Sequence, residues 1–323
     1  MAPLPSLRSA VSLAIDAALD ALAPDADSET LRCSGIGETC ERRLWLAFRW
    51  AHAPWNPDAR LKRIFKNGHD REARLVEMLK LAGIDLQDRN PETGEQWRVS
   101  LASGFLTGSC DGIATGVPEA PVTSHLVEIK TMNKARWDAW RRKGVQESDP
   151  KYYVQMQLYM LGLNLTRALF VAENQDSKEI ETQRIEFDPI FAAGQEARAE
   201  RIALSDAAPE RISDDSESWS CRYCPAREVC HGMAEARRNC RTCLAACVSQ
   251  GGWGCARHGV DLAAHEQREG CAVHLYKPDL VPGEQIDADE AACTVSYRMA
   301  DGSVWVDGPQ PSAPRLDAEA VSS

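Results

Sequence analysis

Apolar residues recur with a helical spacing along several long stretches of this chain. Between residues 59 and 82, Leu61, Ile64, Leu75 and Leu79 follow an approximate spacing of three or four, which predicts one amphipathic helix. The sequence from 149 to 164 is also predicted to be helical. Further helices are predicted over residues 3–23, 38–52, 133–142 and 189–208.

Shorter apolar segments lie between these helices and predict strands. Residues 126–130 form an apolar run, and later segments alternate between apolar and polar positions. Asp301-Gly302 favours a tight turn, so a hairpin is predicted from residues 293–299 and 303–306. The remaining strands are predicted over 95–101, 104–115, 124–130, 169–173 and 180–187. The core elements therefore follow the order α-β-β-β-α-β.

Two charged residues of opposite sign stand on one face of the predicted strand 124–130. Side chains alternate between faces along a strand, so Glu128 and Lys130 point the same way. Asp111 lies on the preceding strand and adds a second carboxylate. Two carboxylates and an ammonium group suit a divalent metal and a water nucleophile. A buried or peripheral ion pair is the ordinary alternative for an isolated Glu-x-Lys.

The flanking helices carry further polar pairs. His69 and Glu72 are three residues apart, and Gln155 and Tyr159 are four apart, so each pair shares one helix face. Taken singly, His69 is more typical of a surface or core histidine, and Gln155 with Tyr159 of helix packing. The informative feature is their order around the strands that carry Asp111 and Glu128.

This order resembles the PD-(D/E)XK nuclease superfamily, in its RecB-like branch, over residues 33–232. The resemblance implies an α/β fold with a restriction-endonuclease-like core, in which helices flank a central mixed sheet. It implies that Mg²⁺ or Mn²⁺ is bound at His69, Asp111, Glu128 and Ile129. It further implies that Lys130 orients or activates the attacking water, that Gln155 and Tyr159 shape the site, and that Glu72 is an outer member of the catalytic set.

Twelve cysteines give a second line of inference. The N-terminal residues lack the apolar core of a signal peptide, and no apolar run is long enough for a membrane span. We therefore expect a cytoplasmic protein whose thiols are reduced, and clustered cysteines then indicate metal sites more than disulfides.

The first cluster is Cys221-x2-Cys224-x5-Cys230. Similarity to iron–sulfur RecB-like nucleases, including CRISPR-associated ones, implies that Cys40 is the fourth ligand of a 4Fe–4S cluster. Cys33 is the competing candidate. Four thiolates would also accept zinc.

The second cluster consists of three pairs, each separated by two residues, and indicates a zinc ribbon. Four ligands suffice, and thiolates are the preferred ligands of structural zinc, so the first choice is Cys240, Cys243, Cys255 and Cys271. His258 and His274 are the alternates. Cys247 and Cys293 lack a regular spacing and are expected to be plain buried thiols.

The formal net charge of −11 over 323 residues is unusual for a protein that binds nucleic acid, so the distribution of charge matters more than the sum. Residues 130–143 hold six Lys or Arg and one acidic residue. Basic and aromatic residues interleave there, which suits phosphate contact and base stacking. The predicted DNA-binding set is Lys134, Arg136, Trp137, Trp140, Arg141, Arg142 and Lys143. A solvated helix with two core tryptophans fits the pattern equally well.

We therefore predict an N-terminal helix and linker (1–32), a nuclease domain closed by an iron–sulfur clasp (33–232), a zinc-ribbon-like, cysteine-rich appendage (238–307) and a disordered tail (309–323).

The expected function is a metal-dependent DNA exonuclease that acts on single strands or duplex ends. The cysteine-rich tail makes the chain similar to phage or prophage recombination exonucleases. That similarity implies a role in DNA recombination or repair, with a single-strand annealing or recombination protein as partner. The alternatives are a non-catalytic nucleic-acid-binding or assembly protein derived from a nuclease, and a zinc-based regulator that leaves the nuclease motifs unexplained.

Overall fold

The structure is a computed structural model, and it describes residues 8–24, 26–249 and 252–309. The chain divides into two compact units. Residues Met1–Thr39 and Pro54–Arg201 form the first unit, and residues Cys40–Ala53 and Ile202–Ser323 form the second. These bounds differ from the boundaries drawn on the sequence, because the short segment around Cys40 belongs to the second unit. Most of the predicted tail, from 310 to 323, lies outside the described residues.

The helices match the long periodic segments of the sequence, with ends that differ by a few residues. None of those in the described part of the chain combines the length and apolar character needed to cross a membrane. The helices are α1 Ala10–Asp20, α2 Glu41–Phe48, α3 Ala59–Leu81, α4 Lys134–Lys143, α5 Val145–Ser148, α6 Pro150–Leu163, α7 Pro189–Leu204 and α8 Arg227–Cys230.

The strands include several short ones that the sequence pattern missed. They are β1 Leu31–Arg32, β2 Asp85–Gln87, β3 Arg98–Leu101, β4 Leu106–Ser109, β5 Gly112–Thr115, β6 His125–Met132, β7 Arg167–Asn174, β8 Ile180–Glu186, β9 Ala246–Ser249, β10 Gly252–Cys255, β11 Val260–Leu262, β12 Gly283–Asp289, β13 Thr294–Met299 and β14 Val304–Asp307. The protein is thus a mixed α/β protein with several sheets.

The main sheet of the first unit has the strand order β2-β5-β6-β7-β8. Strands β6 and β7 pair in parallel, whereas the other neighbours are antiparallel. The parallel pair needs a crossover, which α4, α5 and α6 supply. On one face, Val127 and Ile129 of β6 pack with Leu75 and Leu79 of α3. Alternation along β6 therefore directs Glu128 and Lys130 to the opposite face.

The predicted strand 104–115 is interrupted, and the interruption shapes the site. Residues before it form β4, which joins a small sheet of order β1-β4-β3, and residues after it form β5 of the main sheet. Cys110 and Asp111 lie between the two strands. The sequence pattern missed this break because both halves are equally strand-like.

The second unit contains two small antiparallel sheets, of order β11-β10-β9 and β12-β13-β14. The hairpin predicted around Asp301-Gly302 is formed by β13 and β14. Two arginines, Arg49 and Arg241, are 0% and 1% exposed in this unit. Each stacks on tryptophan rings and donates to backbone carbonyl oxygens, so their charges are buried with compensation.

Candidate functional site

Glu128 and Lys130 form an ion pair at the centre of the first unit. Glu128 is 0% exposed, and the ammonium nitrogen of Lys130 lies 2.5 Å from its Oε1 atom. The same ammonium group donates to the carbonyl oxygen of Ile129 at 3.0 Å and lies 4.0 Å from Oδ2 of Asp111. Glu128 and Lys130 therefore meet on one face of β6, as the alternation of side chains along a strand predicted.

Asp111 reaches this pair because it lies in the break between β4 and β5. Its Oδ2 atom accepts a hydrogen bond from the backbone N–H of Ile129 at 2.6 Å. Glu72 of α3 comes within hydrogen-bonding reach of Asp111. Burial and the adjacent charge of Asp111 raise the pKa of Glu72 to about 7, against the opposing effect of Lys130. Glu72 is therefore a group that can hold or release a proton near neutral pH.

Helix α6 fixes the orientation of Glu128 from the other side. The Gln155 side chain donates through Nε2 to Glu128 Oε1 at 2.9 Å and lies 3.2 Å from the Tyr159 hydroxyl. Burial and the nearby Glu128 carboxylate raise the pKa of Tyr159 above its ordinary value, so its hydroxyl stays protonated. Tyr159 packs so closely on Gly108 that a Cβ atom there would lie 2.5 Å from its ring.

The donor set fits a hard divalent cation, which prefers carboxylate oxygens. Glu128 Oε2 is buried and has no hydrogen-bond partner among the described residues. Burial raises the pKa of Glu128 to about 7; Lys130 opposes this shift, and the charges of Asp111 and Glu72 add to it. Three carboxyl groups thus share one ammonium group, and a bound cation would relieve their repulsion.

As the side chains stand, however, no three His, Cys, Asp or Glu residues in the described ranges are close enough to hold an ion. His69, which the resemblance places among the metal ligands, is exposed and lines the groove next to the site. The described contacts include no hydrogen bond from His69 to Asp111 or Glu128. Of His69 and Glu72, it is Glu72 that reaches Asp111, although the resemblance implies that Glu72 is an outer member of the catalytic set.

A groove of about 1050 Å³ opens over Glu72 and Lys130. Its lining carries four Lys or Arg side chains and one carboxylate, Glu72, in a chain whose net charge is −11. Three of the four cations pair with carboxylates outside the lining: Lys130 with Glu128, Arg63 with Asp16 and Arg136 with Asp149. Tyr152 lies between two of these cations, with Lys130 at 5.2 Å and Arg136 at 5.3 Å from the ring centroid. The sequence pattern missed several groove residues, because α3 and α6 bring them here only in the folded chain: Arg60, Arg63 and Phe65 of α3, and Tyr152 of α6.

The predicted DNA-binding helix is corrected by the structure. Trp137 and Trp140 are 5% and 3% exposed, so they are core residues and unavailable for base stacking. The Trp140 indole packs on Phe170 and donates to the Gln183 side chain at 2.8 Å. Lys134, Arg141 and Lys143 pair with acidic neighbours at the surface, and Arg142 is exposed. Arg136 also pairs with an acidic neighbour, Asp149 at 2.6 Å, but it is the member of the predicted set that lines the groove.

Residues of the first cysteine cluster lie on neighbouring segments of the second unit, although no three of these described thiols are close enough to hold an ion as the side chains stand. Cys40 caps the start of α2, a helix that contacts α8, which ends at Cys230. A backbone hydrogen bond from Cys224 N–H to the Cys221 carbonyl oxygen, at 2.8 Å, forms the turn between them. Burial raises the pKa of the Cys224 thiol, and the nearby Cys40 and Cys230 add to the shift. The competitor Cys33 is buried in the first unit beside Gly108.

All six candidates of the second cluster line one cavity of about 320 Å³. Burial and three neighbouring cysteines raise the pKa of Cys240 to about 11. His274 is 1% exposed, and its Nε2 atom lies 3.1 Å from the Asn239 carbonyl oxygen, whereas its buried Nδ1 has no hydrogen-bond partner among the described residues. Burial and Arg238 lower its pKa to about 4, so the imidazole is neutral. His258 and Cys271 are exposed and lie 3.8 Å apart at Nε2 and Sγ.

No family model and no curated protein matches this chain. Among solved structures, it is similar to an alkaline exonuclease from Laribacter hongkongensis, with 16% identity, coverage of 59% of this chain and 90% of that one, and a TM-score of 0.40. It is also similar to a phage-related exonuclease from Haemophilus somnus 129PT, with 15% identity, coverage of 54% and 92%, and a TM-score of 0.39. At these values the likeness does not assign a family, and the proposals below rest on the geometry of the site.

Proposed function

We propose that this protein is a metal-dependent nuclease that hydrolyses phosphodiester bonds at the cluster of Glu72, Asp111, Glu128 and Lys130. The observation that carries the proposal is the fully buried Glu128, with one oxygen unpartnered, beside two further carboxyl groups and an ammonium group at the base of a cationic groove. An isolated structural ion pair would need neither the extra carboxyl groups nor the groove.

Each residue has a role that follows from its contacts. Asp111 and Glu128 would hold Mg²⁺ or Mn²⁺, with Glu72, His69 and the Ile129 carbonyl oxygen as further candidate donors. When bound, such a cation supplies Lewis acidity and lowers the pKa of water. Lys130 would orient the nucleophile and stabilise charge that develops on the phosphate. Gln155 and Tyr159 keep Glu128 in position.

The proposed substrate is DNA, attacked from an end, in recombination or repair together with a single-strand annealing or recombination protein. Support for a nucleic-acid substrate comes from the groove, whose cationic lining contrasts with the acidic chain. The second candidate is a non-catalytic nucleic-acid-binding protein. The intact carboxyl cluster disfavours it, because a protein that only binds DNA gains nothing from buried acids near the backbone phosphates.

We further propose that Cys40, Cys221, Cys224 and Cys230 hold a 4Fe–4S cluster, with zinc as the alternative metal. Its support is that the second unit brings Cys40 near residues that are distant in sequence. Such a cluster would clasp the two chain segments of this unit. Cys224→Ala should then yield colourless protein without iron, whereas Cys33→Ala should keep its iron and brown colour. Full iron content in Cys224→Ala would exclude the cluster.

The nuclease proposal is tested with purified protein and end-labelled single-stranded and duplex DNA. We expect cleavage with Mg²⁺ or Mn²⁺, none with EDTA, and products that shorten from an end. Circular single-stranded and nicked circular duplex DNA separate end-dependent from internal cleavage. DNA binding in EDTA without cleavage under any metal condition would favour the non-catalytic alternative, and the absence of both binding and cleavage would contradict the two candidates together.

A further inference from the structure

Two large aromatic side chains are exposed at the groove of the first unit. Trp55 and Phe65 are 52% and 44% exposed, and their ring centroids lie 5.9 Å apart in an edge-to-face arrangement. Phe65 belongs to the lining of the groove that contains Lys130 and Arg136. The aromatic pair and the carboxylate cluster therefore each contribute one member, Phe65 and Glu72, to the lining of the same groove.

The chain holds this pair in a defined place. Trp55 follows Pro54 and precedes Pro57, which restrict the backbone on both sides. Helix α3 begins at Ala59, and the side chain of the preceding Asp58 accepts a hydrogen bond from Leu61 N–H at 2.8 Å. The Ala59 N–H donates a hydrogen bond to the Asp20 side chain at 2.6 Å, which ties the helix start to α1. The exposed rings are thus presented by a fixed helix start.

Exposure alone does not make a binding site, because Trp219 in the second unit is 81% exposed. Trp55 differs in having an aromatic neighbour, Phe65, that lines a groove with basic side chains. Arg60 of that lining can contact phosphates, and a phosphate can replace Asp16 at Arg63 or Asp149 at Arg136, while the rings offer flat apolar faces. This combination matches a chain that carries both phosphates and unpaired bases. In a duplex the bases are already stacked on one another, so their faces are not available.

We propose that Trp55 and Phe65 form a stacking platform that binds unpaired bases of a single-stranded nucleic acid as it enters the groove. The proposal deepens the proposed function and rests on the groove being the nucleic-acid site. It replaces Trp137 and Trp140, which are buried, as the aromatic residues that contact bases. The proposed selectivity is for bases as flat surfaces and not for a particular sequence.

Equilibrium binding in EDTA tests this inference without requiring cleavage. The probes are fluorescein-labelled oligothymidylate, an abasic strand of equal length and a blunt duplex. Stacking contributes about 1–3 kcal/mol per base, so Trp55→Ala or Phe65→Ala should weaken binding of oligothymidylate by about five- to 150-fold. Affinity for the abasic strand and the duplex should stay within about twofold, because the phosphate contacts remain.

Matched variants separate stacking from folding. Trp219→Ala removes an exposed tryptophan outside the groove and should bind like the wild type. Trp55→Tyr keeps an aromatic ring and should recover most of the affinity that Trp55→Ala loses. Wild-type preference for oligothymidylate without any cleavage would support the platform and contradict the nuclease proposal. Metal-dependent cleavage with equal affinity for oligothymidylate and the abasic strand, or an unchanged Trp55→Ala, would overturn the platform and leave the nuclease proposal standing.

Discussion

The candidate metal ligands of the two units differ in their donor atoms and in the elements that hold them in place. The first unit gathers carboxylate oxygens and one ammonium group, held in place by neighbouring strands and by α6 through hydrogen bonds. The second unit gathers thiols and imidazoles on tight turns, such as the one closed by Cys243 N–H and the Cys240 carbonyl oxygen at 3.1 Å. Hard oxygen donors suit Mg²⁺ or Mn²⁺, and soft sulfur donors suit zinc or iron–sulfur clusters.

This difference predicts that the ligands of the first unit are needed for catalysis and those of the second unit for folding. Around Glu128 the sheet core exists independently of any ion, because Val127, Ile129, Leu75 and Leu79 pack on the other face. The cysteine cavity is walled by turns and short strands, where a metal would supply much of the stability. Removing a ligand should therefore abolish activity in the first unit but structure in the second.

The largest expected effect concerns zinc in the second unit. We expect the full chain to retain zinc at the cavity and His274→Ala to lose it, because His274 presents a buried nitrogen without a hydrogen-bond partner in the described residues. Structural zinc sites contribute on the order of 10 kcal/mol, so the melting temperature should fall steeply. Metal analysis and thermal unfolding provide the measurement. His258→Ala, at an exposed lining position, is the matched control. Loss of zinc in His258→Ala but not in His274→Ala would make His258 the ligand, and retention of zinc in both would favour the four cysteines predicted first.

The second expected effect concerns the cleavage rate and tests the catalytic role of Lys130 in the first unit. Lys130→Ala should reduce the cleavage rate by about a hundredfold or more, the scale of one lost electrostatic stabiliser. Binding of DNA in EDTA should persist. Lys134→Ala, which removes only a surface pair with Asp138, should retain the wild-type rate. A Lys130→Ala enzyme with normal turnover would remove this lysine from the mechanism.

A third, intermediate effect tests the packing behind the site. Gly108→Ala places a Cβ atom 2.5 Å from the Tyr159 ring, so either the ring or the strand must move. Overpacking of this kind costs about 1–3 kcal/mol, and displacement of Tyr159 should also disturb Gln155 and Glu128. Chemical denaturation and cleavage rates are the two readouts. Gly194→Ala is the control, because its added Cβ meets no atom within 4 Å and the residue lies outside the groove lining; equal stability of both variants would contradict the close packing.

The smallest expected effect is the pH dependence of stability. The pKa of Glu72 is raised to about 7, so the folded state binds this proton more tightly than the unfolded chain. Its contribution to stability is therefore complete below the ordinary glutamate pKa and is lost as the pH rises to about 7. We expect roughly 1 kcal/mol, discounted for partial exposure, as the difference between wild type and Glu72→Gln across this range. Identical pH profiles of unfolding would show that Glu72 is not perturbed.

The sequence by itself determined the long elements and the face on which Glu128 and Lys130 meet. Both follow from local rules, since helical spacing and strand alternation depend only on neighbouring residues. The set of Asp111, Glu128, Lys130, Gln155 and Tyr159 could be named before the structure because the order of these residue types along the predicted elements resembles that of the PD-(D/E)XK nucleases. The structure brings these side chains together.

Only the tertiary structure decided which residues surround that set. The break at Asp111 depends on β4 and β5 joining different sheets, which no local pattern records. Trp137 and Trp140 look like DNA contacts in sequence, but packing against Phe170 and the hydrogen bond to Gln183 bury them. Trp55 and Phe65, by contrast, stay exposed beside the groove. Burial depends on partners distant in sequence, so the sequence pattern could not decide which of these tryptophans are core residues and which stay at the surface.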